Sequence, residues 1–234
     1  MSVSSPLRTL GPLNRPSVAD AVFDKLHSQI LLLELPPGTK MSEVEVAKAL
    51  GVSRQPVRDA FYRLSKLGFL SIRPQRATLV SRISQTAVLQ ARFIRSAIEA
   101  ETVRTACNAL SEADMSALEE ILERQHEAVE ARDAVSFHGY DDQFHKEICE
   151  RSGLGFAWDI IRENKAHMDR VRFLSLAFAS QAAYDDHLKV MAAIRARDEA
   201  LAMQCMHEHL SRIKTQIIRI RADHERYFAD ESET

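Results

Sequence analysis

Apolar residues recur at helical spacing along most of the chain, and the departures from that spacing mark the other elements. The first predicted helix carries apolar residues three or four positions apart, namely Val18, Val22, Leu26, Ile30 and Leu33. The proline-rich segment 35–38 ends this helix, because proline cannot continue one. Residues 42–67 predict two short helices separated at Gly51, and residues 69–82 predict a small β-hairpin by their alternating pattern.

From residue 84 onward, the pattern is almost entirely that of amphipathic helices. Breaks between these helices are expected near Ser111, Asp133, Ser152–Gly155, Ser180 and Arg197–Asp198. The change of period near residues 81–86 predicts a domain boundary. We therefore expect a flexible Ser/Pro-rich arm over residues 1–16, a first domain over residues 17–82 and an all-helical second domain over residues 83–234.

The charge of the chain supports this division. The net charge is −2, but residues 1–82 carry twelve Lys/Arg against six Asp/Glu, a balance of +6, and the remainder has a balance of −8. A basic first third joined to an acidic remainder indicates that the first third binds a polyanion. Two solvated surfaces of unlike charge are the alternative, and the charge balance leaves both open.

The composition bounds the class of protein. Hydrophobic residues make up 45% and charged residues 27% of the chain, which is ordinary for a soluble globular protein. The first sixteen residues lack the apolar segment of a signal peptide, and no apolar run is long enough to span a bilayer. The three cysteines form no CxxC pair, which favours a reducing compartment. We expect a cytoplasmic protein without a membrane partner.

The segment that follows the first helix has the features of a helix-turn-helix. Ser42 and Glu45 have the spacing of a capping box, and Gly51 supplies the tight turn before a second helix that Ser53 can cap. The second helix has a predicted buried stripe of Val57, Ala60, Phe61, Leu64 and Leu67. Opposite this stripe lie the polar side chains that could contact bases or phosphates, Arg54, Gln55 and Arg58. The hairpin tip offers a wing with Arg73, Gln75 and Arg76.

The run from Met41 to Leu64 (MSEVEVAKALGVSRQPVRDAFYRL), continued by Gly68-Phe-Leu, resembles the winged-helix signature of the GntR family of transcription regulators. The resemblance covers roughly residues 17–82. It implies a homodimer on a palindromic operator DNA. Carried over by position, Ser53, Arg54, Gln55 and Arg58 would contact bases and phosphates. A winged helix used only for protein contacts is the alternative.

Three predicted helices of the second domain each direct a metal-binding side chain inward. Asp141 and His145 lie four residues apart on one helix face. His187 begins a stripe of apolar residues, and His209 lies within another. An isolated inward histidine is usually a core residue, but three with an aspartate on converging faces favour a divalent cation that satisfies all four.

The pattern Asp141-Asp-Gln-Phe-His145, with Asp186-His187 and His207-Glu-His209-Leu, resembles the FCD effector domain of FadR-type GntR regulators. This resemblance implies an antiparallel all-α bundle of six to seven helices around a central pocket. Together with the winged helix-turn-helix, it predicts a chain of the mainly α class. By position the metal ligands would be Asp141, His145, His187 and His209, holding zinc or, alternatively, nickel or manganese. The pocket would bind a small organic-acid effector through Arg95, Asn164 and His167.

Alternatives accompany these assignments. Arg95 could instead form an ion pair with Glu99 within its own helix, and Asn164 and His167 could be structural polar residues. The preferred interpretation is a ligand-responsive transcription regulator that is not an enzyme. A metal-dependent hydrolase is disfavoured, because no general base accompanies the ligands. A purely structural metal is the third interpretation.

Overall fold

The computed structural model describes residues 17–73 and 76–230, and these residues form two compact units. The first unit comprises residues 17–29 and 39–81, and the second comprises residues 30–38 and 82–230. The predicted arm over residues 1–16 and the predicted wing residue Gln75 lie outside the described residues. No described helix is both long and apolar enough to cross a membrane.

The first unit is a three-helix winged helix-turn-helix. Its elements are α1 (Val18–Leu31), β1 (Lys40–Met41), α2 (Glu43–Leu50), α3 (Arg54–Lys66), β2 (Leu70–Ser71) and β3 (Thr78–Val80). The strands form an antiparallel sheet of order β1-β3-β2, with Leu70 opposite Val80. The predicted hairpin is therefore present, and the two-residue strand β1 adds an edge that the sequence pattern did not indicate.

Local sequence explains the turn between α2 and α3. The Ser42 side chain accepts a hydrogen bond from the backbone N–H of Glu45 at 3.5 Å, which caps α2. Gly51 ends α2 with φ +66°, a left-handed conformation that a residue without a Cβ adopts at little cost. The buried face of α3 consists of Val57, Ala60, Phe61 and Leu64. Leu67 was predicted on this face, but it is 39% exposed because α3 ends at Lys66.

The second unit contains six α-helices within its described residues. They are α4 (Gln85–Ala109), α5 (Glu112–Glu130), α6 (Ala134–Arg151), α7 (Gly155–Arg195), α8 (Glu199–Ser211) and α9 (Ile213–Asp223). Ser111 and Asp133 cap α5 and α6 through their side chains, as expected from the predicted breaks. The break predicted at Ser180 is wrong, because α7 continues through it for 41 residues.

The core of the second unit draws buried residues from all six helices. It includes Val103 of α4, Leu118 of α5, Phe144 of α6, Val190 of α7 and Met206 of α8. Phe144 and Val190 are fully buried next to the metal-binding residues predicted on the same helices. Polar side chains that point into such a core must find partners there, and this requirement defines the site.

Candidate functional site

Helix α3 exposes the side chains predicted to contact DNA. Ser53 directly precedes the helix, is exposed, and makes no capping hydrogen bond with its side chain. Gln55 is exposed, and the Arg54 and Arg58 side chains are each 58% exposed. These four residues lie in the first turns of α3 or just before it. The structure thus places all four on one accessible end of a short helix.

The wing residues that the structure describes are also accessible. Arg73 and Arg76 are exposed between β2 and β3, and the Arg76 N–H donates to the Arg73 carbonyl at 3.2 Å. Two guanidinium groups consequently lie at the hairpin tip, where a wing can contact a DNA backbone.

Asp141, His145, His187 and His209 come together in the interior of the second unit. Their ligand atoms all lie within 4.8 Å of one another, and all four residues are buried. His187 Nε2 lies 3.3 Å from His209 Nε2 and 3.6 Å from Asp141 Oδ1. His145 Nε2 lies 4.0 Å from Asp141 Oδ2. Helices α6, α7 and α8 thus supply one carboxylate and three imidazoles to a single point.

The outer nitrogen of each imidazole faces a side-chain oxygen. His145 Nδ1 lies 2.5 Å from Glu99 Oε2, and His187 Nδ1 lies 2.7 Å from Gln125 Oε1.

His209 Nδ1 lies 3.7 Å from Asp186 Oδ2, and Arg212 holds Asp186 through both of its carboxylate oxygens. Such partners on Nδ1 turn each ring so that its Nε2 is available to a metal.

The electrostatics of the cluster also suit a cation. Burial alone would raise the pKa of Asp141, but Arg172 and the three histidines hold that pKa well below its usual range. Burial, together with neighbouring positive groups, lowers the pKa of His187 and of His209. The carboxylate is therefore charged and these two imidazoles are neutral near pH 7, which are the forms that bind metals.

The donor set fits a divalent transition metal. Asp141 Oδ1 and His145 Nε2 are buried and have no hydrogen-bond partner among the described residues, so a metal ion would satisfy both. Nitrogen and carboxylate ligands in this proportion are typical of zinc and its neighbours in the first transition row. A second group of possible ligands, His138, Asp142 and Asp169, differs because Lys165 already donates to both aspartates.

Arg95 is fully buried and pairs with Glu99, whose Oε1 lies 2.5 Å from Arg95 Nε. This is the intrahelical pair that the sequence left as the alternative. The pair leaves the two terminal nitrogens of Arg95 buried without a hydrogen-bond partner among the described residues. Arg95 thus orients Glu99, and through it His145, while keeping two donors unused.

A small cleft lies beside His209, between α7 and the end of α8 with the start of α9. Its polar lining includes Arg172, His209, Arg212 and Gln216. Arg172 also donates to Asp141 Oδ2, so one guanidinium reaches both the cleft and a predicted metal ligand.

Arg95, Asn164 and His167, which were predicted at the effector pocket, do not line this cleft. The Asn164 amide donates to the Ile160 carbonyl within its own helix at 2.7 Å.

Sequence reasoning missed Gln125, Asp186, Arg172 and Arg212 as parts of the site. Two signals were available: Gln125 continues the apolar stripe of α5, and Asp186 directly precedes His187. Arg172 and Arg212 offer no such signal, because their importance depends on partners 31 and 26 residues away.

Comparisons with known proteins agree with this architecture. Residues 18–80 match the model of the bacterial regulatory proteins of the gntR family, and residues 90–212 match the FCD domain. The HTH-type transcriptional repressor RspR of Escherichia coli K12 is 34% identical over 233 residues, which cover 99% of this chain and 100% of RspR.

Two solved structures share the fold. Escherichia coli McbR has a TM-score of 0.75 at 24% identity and covers 88% of this chain and 99% of its own. A GntR transcriptional regulator from Rhodococcus sp. RHA1 has a TM-score of 0.73 at 20% identity, and the match covers 86% of this chain and 97% of that regulator. The chain belongs to the GntR family of bacterial regulatory proteins, as a transcription regulator with a DNA-binding helix-turn-helix and an FCD effector domain rather than an enzyme.

Proposed function

We propose that the protein is a cytoplasmic homodimeric regulator that binds a palindromic operator and responds to a small organic acid bound at a divalent metal. Residues 17–82 would form the DNA-binding domain, and residues 83–234 the effector-binding and dimerisation domain. The main observation behind this proposal is that four buried side chains bring possible ligand atoms within 4.8 Å of one another, in a chain that also exposes a helix-turn-helix.

Specific DNA contacts are assigned to Ser53, Arg54, Gln55 and Arg58, with Arg73, Gln75 and Arg76 of the wing on the backbone. An arginine can pair with guanine through two hydrogen bonds, and a glutamine with adenine. The exposure of Arg54 and Arg58 at the start of α3 supports these roles.

Arg58→Ala tests the DNA contacts, with Lys66→Ala as a control of equal charge at the opposite, exposed end of α3. In gel-shift titrations on an operator duplex selected by the wild-type protein, we expect Arg58→Ala to lose about tenfold or more in affinity, the value of one bidentate base contact. Lys66→Ala should lose much less, and both should remain dimers by size-exclusion chromatography. Wild-type affinity of Arg58→Ala would refute the assignment.

The metal ligands are assigned to Asp141, His145, His187 and His209, with zinc as the first candidate and nickel or manganese as alternatives. The histidines would bind through Nε2, because their Nδ1 atoms face Glu99, Gln125 and Asp186. When bound, the ion would supply an electrophilic site for a carboxylate oxygen.

Charge balance supports an anionic effector. Asp141 and Glu99 each carry one negative charge, and Arg95 and Arg172 each carry one positive charge, so these buried groups sum to zero. A divalent ion would add positive charge next to the buried guanidinium groups of Arg95 and Arg172, which is costly unless an anion joins it. The unpaired terminal nitrogens of Arg95 are donors suited to a carboxylate. Asn164 and His167 are further candidates for contact with the effector, after Arg95.

A purely structural metal is the second candidate, and the near-complete burial of all four ligands favours it. Native mass spectrometry with elemental analysis should find one ion per chain in the purified protein. Thermal unfolding with a panel of organic acids, before and after chelation, then separates the two candidates. An acid-induced rise in Tm that chelation and Arg95→Met both abolish supports the effector site. A chelation-induced fall in Tm with unchanged acid binding supports the structural ion, and a protein without metal refutes both.

A further inference from the structure

A single carboxylate contacts two of the side chains assigned to DNA. Glu43 is the first residue of α2, and its Oε2 lies 3.4 Å from a terminal nitrogen of Arg54 and 3.6 Å from Nε of Arg58. Both contacts cross from the first helix of the helix-turn-helix to the second. Glu43 therefore draws the two guanidinium groups towards one point at the start of α3.

The same arrangement recurs at Gln55, whose amide nitrogen donates to Asp59 Oδ1 at 2.9 Å. Two carboxylates thus accompany the two arginines and the glutamine, and they cancel the positive charge of that surface. The start of α3 is neutral locally, because Arg54 and Arg58 are balanced by Glu43 and Asp59, although residues 1–82 have a balance of +6. The excess positive charge lies elsewhere in the domain.

The strength of these pairs decides what they can do. The arginine side chains are each 58% exposed and Glu43 is 30% exposed, so each ion pair is weak and is screened by salt. Such pairs bias the rotamers of the arginines without locking them, and a guanine edge can replace Glu43 as the acceptor. A nonspecific phosphate contact, in contrast, leaves the Glu43 carboxylate close to the DNA backbone, where like charges repel.

We propose that Glu43 is a positioning residue that determines specificity: it orients Arg54 and Arg58 for base contacts and opposes binding through phosphates alone. This inference rests on the DNA-contact roles proposed above. It predicts that removing the charge of Glu43 strengthens nonspecific binding and weakens discrimination, whereas a residue needed only for folding would weaken both.

Glu43→Gln tests the proposal, and Glu45→Gln is the matched control. Glu45 lies on the same helix, is exposed and forms no ion pair with an arginine of the described residues, so its neutralisation changes the net charge equally. Binding is measured by fluorescence anisotropy between 50 and 200 mM salt. The probes are a scrambled duplex and an operator duplex that the wild-type protein selects from a random pool.

We expect Glu43→Gln to bind the scrambled duplex more tightly than wild type, with a salt slope steeper by about 0.9, the value of one added phosphate contact. The ratio of operator to scrambled affinity should fall about tenfold, as for one bidentate base pair lost. Glu45→Gln should change both quantities much less, and circular dichroism should match wild type for both variants.

Equal behaviour of Glu43→Gln and Glu45→Gln would overturn the proposal. So would weaker operator binding of Glu43→Gln with unchanged binding of the scrambled duplex, because that result identifies Glu43 as a direct base contact. Arg58→Ala separates these outcomes from failure of the proposed DNA contacts. Suppose that Arg58→Ala weakens operator binding while Glu43→Gln and Glu45→Gln bind both duplexes with equal affinities. In that case only the role of Glu43 is refuted.

Discussion

Gln125 is the residue whose replacement most directly tests the geometry of the proposed metal site. It is fully buried on α5; its Nε2 donates to the Tyr140 carbonyl at 3.1 Å, and its Oε1 lies 2.7 Å from His187 Nδ1. Because the amide nitrogen is used at Tyr140, its oxygen must accept from His187. Nδ1 of His187 therefore carries the proton, and Nε2 is left with the lone pair that a metal needs.

Gln125→Leu removes the oxygen that accepts the hydrogen bond from His187 Nδ1, at nearly constant side-chain volume. Loss of a partner of this kind costs about 10- to 100-fold in metal affinity, or about 1.4–2.7 kcal/mol. The substitution also leaves the His187 N–H buried without an acceptor, which costs about 1–3 kcal/mol in the stability of the metal-free protein. Gln125→Glu keeps an oxygen on His187 Nδ1, so we expect it to restore metal affinity even if the metal-free protein is less stable.

The assay is a competition titration of zinc against a fluorescent chelator, with urea unfolding of the metal-free protein as a second measurement. Gln204→Leu is the control, because Gln204 is exposed on α8 and bonds only Glu208 among the described residues. Its metal affinity should equal that of wild type. If Gln125→Leu also binds zinc with wild-type affinity, then Gln125 does not orient His187 and the assigned tautomer is wrong.

Further predictions concern stability and reactivity. Gly51→Ala should lower the free energy of unfolding by about 1–2 kcal/mol, because φ there is +66°; Gly139→Ala, within α6 and with nothing within 4 Å of the added Cβ, should raise it by about 0.5–1 kcal/mol in the same urea titration. Burial lowers the pKa values of His187 and His209 below 6.5, so the unfolded chain binds more protons in that range. The urea midpoint of the metal-free protein should therefore stay constant above about pH 7.5 and fall as the pH drops below 6.5, and a midpoint that rises on acidification would contradict this. Burial raises the pKa of the Cys149 thiol to about 12, and all three cysteines are buried, so a disulfide reagent at pH 8 should titrate thiols only after unfolding; rapid reaction of the native protein would contradict this.

The sequence predicts the helices well because their signals are local. Ser111 and Asp133 carry capping side chains, and Gly51 supplies the left-handed turn, so these boundaries follow from neighbouring residues alone. A helix break was predicted at Ser180 because serine favours helix ends. The neighbours of Ser180 include no glycine or proline, and α7 continues through it. Strand β1 has only two residues, too few for a period to be recognised.

The convergence of Asp141, His145, His187 and His209 could be predicted from the sequence, whereas the side chains around them could not. Asp141 and His145 share a helix face through their spacing, and His187 and His209 each lie in an apolar stripe, so their inward direction follows from periodicity. The partners of the imidazoles depend on which helices pack together. Gln125 lies 62 residues from His187, and no local pattern links two such positions.

Helix α7 runs unbroken from Gly155 to Arg195, and His187 lies near its far end. At 1.5 Å per residue, about 48 Å of continuous helix separates His187 from the start of the helix. A rotation of about 5° centred at the ligand would carry that start through about 4 Å. A small shift at the four clustered side chains would in this way become a large displacement, and the exposed ring of Phe156, 65% accessible, marks where a spectroscopic label would detect it.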